Sequence, residues 1–169
     1  MTSKLTEIVQ IDGWFCEFQN LTRLHLVGCV KLEELPSLHK MKSLRELHVI
    51  GSKLKKLPTE FGEKGAFPSL EIFSLSELDE LEELPTIMVK EDVMPLLKIF
   101  TIMKCEAFKL LPENYLYLKT LQKIRVFGCS MLLENLENIK IETKVKVIKM
   151  SLTRDIMDIY LQKMMSRES

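Results

Sequence analysis

The sequence has 169 residues, 46% of them hydrophobic, which suits one domain with a sizeable core. Its 24 basic and 24 acidic residues balance. That balance argues against nucleic acid as the main partner, because backbone binding needs a clustered surplus of Lys and Arg. No apolar run approaches the ~18–20 residues of a membrane span. The segment after Lys4 lacks a secretory apolar core, and four cysteines without a small disulfide framework are expected as thiols. The expected location is cytoplasmic, with no membrane partner.

Residues 1–20 carry apolar side chains at Leu5, Ile8, Ile11, Trp14, Phe15 and Phe18, with a turn signal at Asp12-Gly13. They read as a degenerate N-terminal repeat or cap over the first full copy of a repeated pattern, or as the ragged edge of a longer array. The pattern itself sets in at residue 21. Leu21, Leu24, Leu26, Cys29, Leu32 and Leu35-Pro36 are matched by Leu44, Leu47, Val49, Ser52, Leu54 and Leu57-Pro58. Further copies begin at Leu70, Leu97 and Leu121, so successive starts are 23, 26, 27 and 24 residues apart. Each copy opens with a period of two, which suits a short strand, and continues with a period of three, which suits tight turns. No single copy can bury its own leucines, but stacked copies can.

The spacing L-x-x-L-x-L-x-x-N/C-x-L is the signature of the leucine-rich repeat. The expected fold is therefore α/β: a curved solenoid with a parallel sheet on its concave face and irregular or short helical returns. Five repeats span 21–132. Pro36, Pro58, Pro85 and Pro112 each follow a leucine, and a residue without an N–H belongs on the return side rather than within the sheet. Glu60–Ala66 is expected as a polar bulge, with Gly62 and Gly65 adopting unusual dihedrals, and Met88–Pro95 as a second insertion. Residues 133–169 form a C-terminal cap. In it, 139–148 reads as edge strands with lysines outward, and Ile156, Ile159, Tyr160 and Met164 share one face of a terminal amphipathic helix.

No catalytic constellation emerges. There is no G-x-S-x-G, H-E-x-x-H, C-x-x-C or P-loop, and Gly62-Glu63-Lys64-Gly65 has the wrong spacing to cradle phosphates. The chain is expected to be no enzyme and to need no cofactor. Cys29, Cys105 and Cys129 occupy one repeat column, where a small polar side chain satisfies backbone groups at the strand exit, so they read as structural thiols. His25 and His48 occupy equivalent positions of adjacent strands. Two histidines alone make an incomplete zinc site, and His39 lies in a return segment, so no metal site is expected. Two outward columns of the concave sheet are the candidate protein-binding surface. The first is His25, His48, Ser74, Thr101 and Arg125. The second is Val27, Ile50, Ser76, Met103 and Phe127, mostly apolar at positions expected to face solvent, which suggests a partner site.

Two segments carry a resemblance: Leu24-His-Leu-Val-Gly-Cys-Val-Lys-Leu-Glu-Glu-Leu-Pro36, and Phe67-Pro-Ser-Leu-Glu-Ile-Phe-Ser-Leu75 continuing through Leu81-Glu-Glu-Leu-Pro85. They resemble the leucine-rich-repeat region of plant nucleotide-binding leucine-rich-repeat (NLR) disease resistance proteins, and are similar to its R13L4/SHOC-2-like group, over about residues 18–135. The resemblance implies protein recognition in innate immunity. The implied partners are a pathogen effector, a guarded host protein, or the receptor's own nucleotide-binding module, which such repeats hold inactive. The sequence contains no such module and no signalling domain, so it is expected to be a fragment of a longer receptor or a truncated relative that only binds. The alternative is a non-immune scaffold or adaptor for an intracellular signalling or ubiquitin-ligase complex.

Overall fold

The computed structural model describes residues 2–5, 20–38, 41–87, 92–137 and 145–150. Seven strands among them form one open parallel sheet in sequential order: β1 (Thr2–Leu5), β2 (Arg23–Val27), β3 (Glu46–Ile50), β4 (Ile72–Ser76), β5 (Ile99–Met103), β6 (Lys123–Phe127) and β7 (Lys146–Met150). The pairs run 24↔47↔73↔100↔124, so residues at the same place in each sequence copy are Cα partners. The expected terminal helix, the remainder of residues 6–19 and His39 lie outside the described residues.

The second and fourth residues of each central strand point to one side. Leu24, Leu47, Phe73, Phe100 and Ile124 are fully buried there, as are Leu26, Val49, Leu75, Ile102 and Val126. The core lies between this face and the return segments, which contribute Leu32, Leu54, Leu81, Phe108 and Leu132. Aromatic rings run through it from copy to copy. Phe61 contacts Phe67 and Phe73, Phe73 stacks on Phe100 with centroids 5.0 Å apart, and Phe100 meets Tyr115 at 5.8 Å.

The chain leaves each of β2 to β6 through a residue with positive φ: Gly28, Gly51, Glu77, Lys104 and Gly128. That conformation turns the backbone out of the sheet, and glycine adopts it without strain. The turned N–H then donates forward: Gly28 to the Ile50 carbonyl, Gly51 to Ser76, Glu77 to Met103 and Lys104 to Phe127, at 2.8–3.0 Å. The two exits that are not glycine form an ion pair, Lys104 Nζ to Glu77 Oε1 at 3.0 Å. On the return side, single bridges link Glu34, Lys56, Glu83 and Leu110 in parallel, each two residues before a proline. The prolines thus sit clear of every described ladder, and Pro58 and Pro112 begin 3₁₀ turns at Thr59–Gly62 and Glu113–Tyr117.

Two local expectations are corrected. Of residues 60–66 only the exposed Glu63, Lys64 and Gly65 form a polar bulge: Phe61 is fully buried against Phe67 and Phe73, and Gly62 and Ala66 are buried too. Gly65 does have positive φ, but Gly62 does not. Gly62 is needed because a Cβ there would run into the Thr86 carbonyl of the next return segment. Residues 130–137 form a short helix, α1 (Ser130–Glu137). This copy has lost its Leu-Pro, so nothing breaks a helix whose Leu132 and Leu136 face the core. Finally, both lysines of β7 are exposed, but Lys149 occupies an inward register position. Lys149 pairs with Val126 of the core column, and its Nζ donates to the Leu136 carbonyl at the end of α1, 2.8 Å away. A cation satisfies a helix C-terminus, and a charge at an inward position blunts a sheet edge.

Candidate functional site

The first, third and fifth residues of each strand face away from the core. Parallel register lays the third positions side by side as His25, His48, Ser74, Thr101 and Arg125, and the fifth as Val27, Ile50, Ser76, Met103 and Phe127. The structure therefore assembles the two columns as the sequence predicts. Their exposure differs from the expectation. Ser76 and Met103 are fully buried, Ser74, Thr101 and Phe127 nearly so, and His25 and His48 are buried; only Val27, Ile50 and Arg125 are half-buried. From Ser76 to Phe127 the second column is thus packed rather than exposed. Strands about 4.7–4.9 Å apart bring same-column side chains into contact, and the two serines lie between longer neighbours, with their hydroxyls 3.5 Å apart.

Charge gathers beside these columns, at the strand starts. Arg23 Nε pairs with Glu46 Oε1 at 3.2 Å. Glu71 lies between Lys98, at 2.6 Å, and Arg45, at 3.5 Å. The hydrogen bond from Lys98 holds the Glu71 carboxyl below its ordinary range. These side chains are half-buried or exposed, unlike the columns they border.

His25 and His48 meet edge to face, with centroids 4.5 Å apart. Burial, reinforced by His25 and Arg23, lowers the His48 pKa to about 4, so His48 is neutral near pH 7. Glu46 joins them. It lies two residues before His48 on the same strand face, and one ligating atom from each of His25, Glu46 and His48 falls within 4.8 Å of the others. Sequence reasoning weighed the histidines as a pair and passed over Glu46, although period-two alternation alone puts it beside them.

The cysteine column behaves as thiols. Cys29, Cys105 and Cys129 are buried thiols outside any disulfide. Each lies within 3.4–3.8 Å of the carbonyl two residues earlier, at Val27, Met103 and Phe127. The contact with Cys129, together with burial, raises the Cys105 thiol well above its ordinary value, and the same contact draws Cys129 down. Ser52 fills the column with a buried hydroxyl.

A groove of about 410 Å³ on the return side is lined by Glu34, Lys56, Pro58 and Glu60, among others. Glu60 closes one wall, accepting from the Ser37 hydroxyl at 2.9 Å and the Leu38 amide at 2.8 Å. Its carboxylate is already committed to these two donors.

No helix among the described residues is long and apolar enough to cross a membrane. No protein-family model matches the chain, and no curated protein matches it.

Proposed function

We propose that the chain is a leucine-rich-repeat solenoid that recognises another protein, and that it serves plant innate immunity as the sensing region of an NLR-type disease resistance protein. The observation that carries the solenoid reading is the register: five sequence copies lie as Cα partners across successive parallel ladders, each leaving its strand through the same left-handed turn. An array of this kind offers a broad face rather than a pocket, and broad faces suit proteins. The immune reading rests on the resemblance of the Leu24–Pro36 and Phe67–Pro85 segments. With Ser76, Met103 and Phe127 packed, the contact surface shifts to the half-buried Val27 and Ile50 of the same column and to the charged strand starts, Arg23, Arg45 and Lys98.

Immunoprecipitation from source tissue, with and without pathogen challenge, tests the reading. A partner that appears or changes on challenge, and is lost from folded Val27→Glu and Arg45→Glu variants, supports it. A constant host partner would instead favour the scaffold alternative. Retention of all partners by both variants would sink the assignment of this face.

A further inference from the structure

We propose that His25, Glu46 and His48 form a zinc site on the outer face of the sheet, spanning β2 and β3. The donors are two imidazoles and one carboxylate, a set that binds Zn²⁺ and leaves a fourth position for water. Register holds them together. His25 and His48 are Cα partners, and Glu46 is displaced from His48 by one period of the pleat. All three donors therefore emerge on one face, from two strands that are hydrogen-bonded to each other. Ligands on tetrahedral zinc stand about 3.3–3.4 Å apart at bond lengths of roughly 2.0–2.1 Å. The three donor atoms already lie within 4.8 Å of one another, so side-chain rotation closes the rest without moving the strands.

The carboxylate is already oriented for a metal. Arg23 bonds one carboxylate oxygen of Glu46. The other oxygen remains to ligate, and a ligating carboxylate held by a second group is the usual arrangement. The nearest rival is a plain edge-to-face histidine pair, which gives Glu46 no part. This inference stands independently of the function proposed above, since zinc binding requires no partner.

The test uses the full chain, freed of metal by a chelator and titrated with Zn²⁺ against a chromophoric competitor. The expected result is one saturable equivalent, weakened at least tenfold by Glu46→Gln and by His48→Gln and unchanged by a Cys105→Ser/Cys129→Ser double variant. Far-ultraviolet circular dichroism establishes that each variant is folded, and Glu46→Gln, nearly isosteric at a half-buried position, is the one least disturbing to the fold. Co²⁺ in the same site should show d–d bands without thiolate charge transfer. Free Zn²⁺ a hundredfold above its Kd should raise Tm by about 5–10 °C. Absence of saturable binding overturns the proposal. So does binding that survives Glu46→Gln undiminished, or that follows the cysteines.

Discussion

The ring stack between Phe73 and Phe100 offers a quantitative test of how neighbouring copies are coupled. Their planes are 5° from parallel and their centroids 5.0 Å apart, and neither ring is exposed. Leucine already occupies the same column at Leu24 and Leu47, so Phe→Leu places a residue the backbone accepts. Phe73→Leu gives up ring contacts with Phe61 and Phe100, and Phe100→Leu gives up those with Phe73 and Tyr115. Aromatic pairs contribute about 0.5–1.5 kcal/mol beyond area burial. Each single change should therefore cost about 1–3 kcal/mol in ring contacts. The double change loses the shared pair once rather than twice, so it should cost about 0.5–1.5 kcal/mol less than the sum. Urea titration of the four proteins measures this, provided the m-value is constant; each kcal/mol should move Tm by about 2–4 °C. Additivity within about 0.3 kcal/mol would refute the idea that the rings couple adjacent copies, leaving the stack as ordinary leucine-like burial.

Three further outcomes are expected. Gly62→Ala should destabilise by about 1–3 kcal/mol through a backbone collision with Thr86; a thermal melt unchanged from the parent would show that the return segments are not in close contact. Glu60→Ala should cost about 1–3 kcal/mol by leaving the Leu38 amide without its acceptor. Glu60→Gln, which keeps one carbonyl oxygen, should cost less, and the order of their urea midpoints checks this. In chelator, stability should fall as pH drops from 6.5 to about 4. The unfolded chain protonates His48 first, while in the folded chain burial, reinforced by His25 and Arg23 beside the ring, resists the proton. The loss saturates below pH 4 at up to about 3 kcal/mol. His48→Gln should flatten the pH profile, and an unchanged slope would place the titration elsewhere.

Leucine spacing made the sheet legible. It predicts which residues of each strand face the core, and the register confirms those columns from Leu24 to Ile124. What periodicity cannot give is cover: alternation says which face Met103 and Ser76 occupy, not whether that face is open. The helix at 130–137 escaped notice because its signal is a missing Leu-Pro, which reads as a lost repeat before it reads as released helix propensity. Phe61 is hidden among glycines and charges, although its ring belongs to the core stack. The Glu46 contact was within reach, since only the alternation of one strand and its pairing with the next were needed. Lys149 shows the opposite limit. Its inward register follows from pairing with β6, while its bond to the Leu136 carbonyl depends on a helix the spacing did not announce.

The forward-donating amides at the strand exits also have a temporal meaning. A ribosome releases the chain N-terminus first, so when Val27 and Gly28 emerge, the carbonyl of Ile50 that will receive the Gly28 amide is still inside the exit tunnel. At about 5–20 residues per second, the next copy arrives roughly one to five seconds later. During that interval the newest turn is solvated by water and its leucines lack a neighbour to cover them. Each copy thus becomes settled only when its successor appears, and the order of assembly is written into the direction of those amides.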